Sequence, residues 1–207
     1  MLNDKIYIFW DNSNIFISAK QVAEERDNLL GAHDLRLQFE HLHRLASMGR
    51  PVANTFVVGS IPPDLKVWAR LRKATGATIE LLERGESSGT EQGVDASLQV
   101  PMLRALIDEE APCVAVLLTG DGRGYQDGVG FHADLERMHR RGWGIEVLSW
   151  DHSCNSGLKS WAKAVGAYVP LNAHYRQITF IEGGRTSSSC KFTNRMCVRP
   201  GGERVFG

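Results

Sequence analysis

Long hydrophobic runs are missing from this chain. No apolar stretch approaches the roughly 18 residues that span a bilayer, which argues against an integral helical membrane protein. The start, MLNDKIYIFW, carries an acid and lacks the apolar core and cleavage site of a signal peptide. Only four cysteines occur, Cys113, Cys154, Cys190 and Cys197, none at CxxC spacing. That excludes a disulfide-dense scaffold. Cys190 and Cys197 could still pair or share a metal, although no nearby histidines complete a zinc pattern. A reduced, cytoplasmic protein is the expectation. Net charge is missing too: 24 Lys and Arg balance 24 Asp and Glu, so no global field advertises a polyanionic partner.

Several catalytic signatures are absent as well. The glycine loop GDGRGYQDGVG (120–130) has no Gly-Lys-Ser/Thr and is not a P-loop. The turn after the first strand is DNSN rather than the glycine fingerprint of a dinucleotide fold. Arg123 and Tyr125 stand where an EF-hand needs Asp or Asn. His41 and His43 form no HExxH, and no D-x-D nucleophile pair follows the first strand, against a phosphoaspartate mechanism.

What is present is an alternation of apolar runs with helical patterns, the mark of βαβ units and a mainly parallel sheet. Strands are predicted near 5–10, 51–59, 77–82, 113–122, 144–150 and 167–171. Helices are predicted near 14–26, 34–48 with Asp34 as cap, 63–75, 94–110 with Pro101 kinking it or starting its main segment, 131–141 and 155–164. Residues 1–171 read as one α/β domain. Residues 172–207 read as a basic extension, forming either a hairpin around Gly183–Gly184 or a disordered tail. Basic clusters on two helices (Lys66, Arg70, Arg72, Lys73 and Arg137, His139, Arg140, Arg141) are compatible with phosphate contacts, but such clusters are more often solvated faces than binding sites.

The first strand raises the functional question. IYIFW is the continuous apolar run of a strand buried on both faces, and it ends abruptly in Asp11-Asn12-Ser13-Asn14. One reading is capping, because these side chains satisfy free N–H groups at a helix start, with Asn12 or Ser13 as the cap. The other is a cation or phosphate site. Ligands of open α/β sheets bind beyond the C-terminal ends of the strands, where strand order reverses. Asp11 and Asp121 follow two such strands, and Asp95 opens the helix that leaves that edge after the third strand. If the strands of Asp11 and Asp121 are adjacent, these two acids become near neighbours. Clustered carboxylates need a cation, and an oxygen-only set favours Mg²⁺ or Mn²⁺. That chemistry serves phosphodiester or phosphomonoester hydrolysis. Taken singly, Asp95 also reads as a first-turn acid and Asp121 as a turn residue.

FWDNSNIF, GVDASLQVPML and LLTGDG, in that order, resemble the NYN branch of the PIN-like nuclease superfamily over about residues 5–171, with VGSIPP and GIEVLSW in keeping. The resemblance implies a Rossmann-like α/β/α sandwich that binds Mg²⁺ or Mn²⁺ and cleaves RNA. By it, Asp11, Asp95 and Asp121 are the catalytic, metal-holding acids, and Asn14 and Thr119 contact ligand or substrate. Where many relatives carry a second acid after the last of these, this chain has Arg123, which would contact a phosphate. Alternatively, Asp127 or Asp134 would supply a fourth carboxylate. Alternatives are a non-catalytic RNA-binding module on the same fold and a small-molecule phosphohydrolase. The sequence leaves homodimerisation open.

Overall fold

A computed structural model describes residues 4–60, 66–82, 94–109, 112–119, 128–192 and 195–206; the side chains of Ser60, Val94 and Asp95 lie outside that description. β1 (Ile6–Asp11) is buried throughout and leads directly into α1 (Asn12–Asp27). β2 (Leu35–Leu37), α2 (Phe39–Ser47), β3 (Val52–Ser60), α3 (Lys66–Thr75) and β4 (Thr78–Leu82) follow. Then come α4 (Val94–Asp108), β5 (Val114–Leu118), α5 (Phe131–Arg140), β6 (Gly144–Ser149), α6 (Ser156–Val165) and β7 (Ala167–Pro170). The extension carries α7 (Tyr175–Ile178), β8 (Thr179–Ile181), β9 (Met196–Val198) and β10 (Arg204–Phe206).

The main sheet has six strands in the order β4-β3-β1-β5-β6-β7, and every adjacent pair is parallel. Alternation along the strands divides the core into two layers. On one face Ile8, Trp10, Val116 and Leu148 meet Ile15 and Val22 of α1, Leu42 and Leu45 of α2, and Trp68 and Leu71 of α3. On the other, Phe9, Leu117 and Val147 meet Leu98 and Met102 of α4, Leu135 and Met138 of α5, and Leu158 of α6. This is the expected three-layer α/β/α sandwich. All four cysteines are free thiols, so Cys190 and Cys197 do not pair. No helix among the described residues is long and apolar enough to cross a membrane.

Two local expectations need correction. The helix predicted over 34–48 begins only at Phe39, with Gln38 as its N-cap. Leu35 and Leu37 are buried around a half-exposed Arg36 as a short strand, antiparallel to β8. Asp34 caps nothing here; its backbone carbonyl accepts from Glu182 N at 2.8 Å. The hairpin expected around Gly183–Gly184 is reduced to a turn, closed by Gly184 N to Ile181 O at 3.0 Å, and β8 pairs with β2 instead. The extension's hairpin is β9–β10.

A buried ion cluster fastens the extension to the sheet. Glu146, in mid-β6, has no solvent exposure. Its Oε1 and Oε2 accept from Arg50 Nη1 and Nη2 at 2.7 and 2.9 Å, and Oε2 accepts from Arg195 Nη2 at 2.6 Å. Val198 N donates to Oε1 at 2.8 Å. Burial alone would push this carboxyl up. The guanidiniums of Arg195 and Arg50 override it and hold the carboxyl below the ordinary range.

Candidate active site

The chain leaves β1 through α1 toward β3 on one side, and leaves β5 through α5 toward β6 on the other. The crevice between diverging connections at the C-terminal edge is where open α/β sheets place their ligands. Here that crevice lies between β1 and β5. Trp10 pairs with Leu118, and Leu118 with Leu148, so the next residues, Asp11, Thr119 and Ser149, lie side by side on one face. In the other direction Asp11 pairs with Val58, and Val58 with Glu80. The edge therefore carries a row running Glu80, Val58, Asp11, Thr119, Ser149.

Asp11 is fully buried. It is itself the N-cap of α1, where Asn12 or Ser13 had been expected, and both of those lie inside the first turn. Its Oδ1 accepts from Asn14 N at 3.1 Å, and its Oδ2 accepts from Asn14 Nδ2. Capping and site-forming are therefore one arrangement, and Asn14 grips both carboxylate oxygens. Trp150 Nε1 donates to Ile15 O at 2.9 Å, tying the first turn of α1 to the end of β6. Thr119, also without exposure, joins β6 through its N–H to Leu148 O at 3.4 Å.

Asp95 is the second residue of α4, a helix whose N-terminus lies at this same edge because it connects β4 to β5; its side chain lies outside the described residues. Asp121, Arg123 and Asp127 lie outside them altogether. Asp134 is described, and it is engaged. This buried first-turn acid of α5 accepts from Gln99 Nε2 at 2.6 Å and from Arg137 Nη1 at 2.7 Å, locking α5 to α4. Arg137 also donates to Gly128 O at 2.7 Å, so it belongs to this clamp rather than to a solvated basic cluster. Among the described residues no group of three or more His, Cys, Asp or Glu is placed to hold an ion.

Glu80 and Ser149 were not singled out from the sequence. Only the strand order puts them in the row with Asp11, although both sit near the ends of strands that were legible. The described donors at the centre of the row, a carboxylate and a hydroxyl, are hard oxygen ligands of the kind that divalent cations take.

A family model described as NYN domain matches residues 5–165. Among solved structures, a Vibrio parahaemolyticus protein of unknown function is similar, with a TM-score of 0.58 and 15% identity. The match covers 82% of this chain and 93% of that one, a likeness of fold alone. No curated protein matches. With the family model covering the α/β portion from before β1 to the last residue of α6, the chain belongs to the NYN domain family, within the PIN-like nuclease superfamily.

Proposed function

We propose that the chain is a metal-dependent ribonuclease that hydrolyses RNA phosphodiester bonds at the β1/β5 crevice. The observation that carries this reading is a fully buried carboxylate, Asp11, gripped by Asn14 at the switch point of an NYN sheet, with Thr119 beside it. Asp11, Asp95 and Asp121, with Asp127 as a fourth acid, would hold Mg²⁺ or Mn²⁺. Such an ion polarises a phosphoryl oxygen and lowers the pKa of a bound water. The chain supplies the rest. Asn14 fixes the Asp11 carboxylate, so that it needs no rearrangement to serve as a ligand. The Thr119 hydroxyl hydrogen-bonds a phosphate oxygen or a neighbouring carboxylate. Arg123 contacts the RNA backbone.

The test is cleavage of a mixed RNA pool with and without Mn²⁺, beside the Asp11→Asn and Asp121→Asn variants. Both variants should lose cleavage. Asp11→Asn should keep its thermal midpoint, because Asn caps a helix about as well as Asp. Undiminished cleavage by pure Asp11→Asn overturns the assignment. Turnover of phosphomonoesters with no turnover of RNA would make the protein a phosphohydrolase instead.

A further inference from the structure

One corner of the sheet beside the candidate active site holds a cavity of about 360 Å³, between α4 and the β3–β4 edge. Phe56, Val58 and Pro101 give it apolar walls, and Glu80, Ser97 and Arg104 give it polar ones. It adjoins the catalytic row by construction, because Val58 pairs with Asp11 on one side and with Glu80 on the other. Two inter-strand spacings, about 10 Å, separate Asp11 from Glu80. Ala96, the residue after Asp95, also lines the cavity.

We propose that this cavity is a nucleobase subsite selective for guanine, taking the base next to the phosphate held at Asp11; its link to cleavage rests on the ribonuclease reading above. Pockets that take small ligands run from about 300 Å³ upward and are mostly apolar, with a few fixed polar groups. A purine needs that combination: apolar surface for its ring faces and hydrogen-bond partners at its edges. The wall at Phe56 is firm, because its ring stacks on Phe9 with centroids 5.7 Å apart and planes 7° apart.

The polar side chains choose the base. Glu80 Oε1 accepts from Ser97 Oγ at 2.8 Å, which holds the carboxylate in place while leaving it lone pairs to spare. A carboxylate accepts from adjacent donors. Guanine alone among the four RNA bases presents two side by side, N1–H and the N2 amino group. Adenine and cytosine set a ring acceptor beside their amino group, and uracil flanks its single ring donor with carbonyls; each would turn an acceptor toward Glu80. Arg104 stands on the same side of α4 as Ser97, about two turns along, and its guanidinium is suited to guanine O6 and N7.

The experiment is a calorimetric titration of guanosine, adenosine, cytidine and uridine 5′-monophosphates into the full chain, without divalent ions. It is repeated on Glu80→Gln and Arg104→Ala. The guanosine nucleotide should bind at least about tenfold more tightly than the others, and Glu80→Gln should abolish that preference. Glu80→Gln keeps an oxygen for Ser97, and both substituted positions are solvent-exposed, so both variants should fold. Equal binding of the four nucleotides, no binding, or an unchanged preference in Glu80→Gln overturns the subsite. Neither metal nor cleavage enters the titration. A chain that prefers guanosine monophosphate but cuts no RNA keeps the subsite and loses the ribonuclease reading; one that cuts RNA but fails the titration loses the subsite alone.

Discussion

A carboxylate with no solvent exposure depends on its neighbours for its hydrogen bonds, and Asn14 supplies two of those at Asp11, one from its backbone and one from its side chain. These have separable consequences. Asn14→Ala removes only the amide, so the cap from the backbone N–H remains, and the loss of one hydrogen bond to a buried carboxylate should lower stability by about 1.5–3 kcal/mol. Affinity for Mn²⁺, measured by titration, should fall about 10- to 100-fold, the usual effect of losing a group that orients a metal ligand. Unchanged affinity would assign Asn14 to the helix alone. The end of β1 at Asp11 was legible because an apolar run stops there abruptly at a polar cluster. The fate of Asp134 was not legible: a first-turn acid looks the same whether it faces a crevice or a clamp, and its partner Gln99 lies 35 residues away.

Elements were legible where their own periodicity decided them, and obscured where a distant partner did. The six strands of the main sheet announce themselves as apolar runs. Leu35, Phe39, Leu42 and Leu45 satisfy a helical spacing, yet Leu35 belongs to a strand that exists because β8 lies beside it. Packing between elements also explains part of VGSIPP. A Cβ added to Gly59 at the end of β3 would fall 2.3 Å from Trp68 Cη2 and 2.8 Å from Cζ2 on α3. Trp68 is a buried core residue, so the ring cannot swing aside without disturbing the α3 layer. Gly59→Ala should therefore cost about 1–3 kcal/mol in urea unfolding, the usual penalty for overpacking. An unchanged midpoint would show that the ring has room to move.

At the scale of the whole molecule the decisive feature is the cluster Arg50–Glu146–Arg195. Its signal was visible as an acid inside GIEVLSW, flanked by apolar residues that go to the core. Its partners were not, since Arg50 lies 96 residues away and Arg195 lies 49. Removing one member leaves charge buried without compensation, so Glu146→Ala should cost about 3–5 kcal/mol. That corresponds to a fall of about 10 °C in the thermal midpoint for a chain of this size. The pH dependence follows from the direction of the shift. A carboxyl held below its unfolded value adds stability that is complete above that value and lost as pH falls through the lowered folded one. Acid titration of the intact chain should reveal this loss, and Glu146→Gln should flatten it. The same cluster also sets a schedule for synthesis. The six-stranded sheet is complete in sequence at Pro170, but Arg195 emerges 25 residues later, a delay of a few seconds at about 5–20 residues per second. Through that interval the growing chain contains only one of the two guanidiniums that compensate Glu146 in the finished fold, so the last partner of its buried charge is also the last to be made.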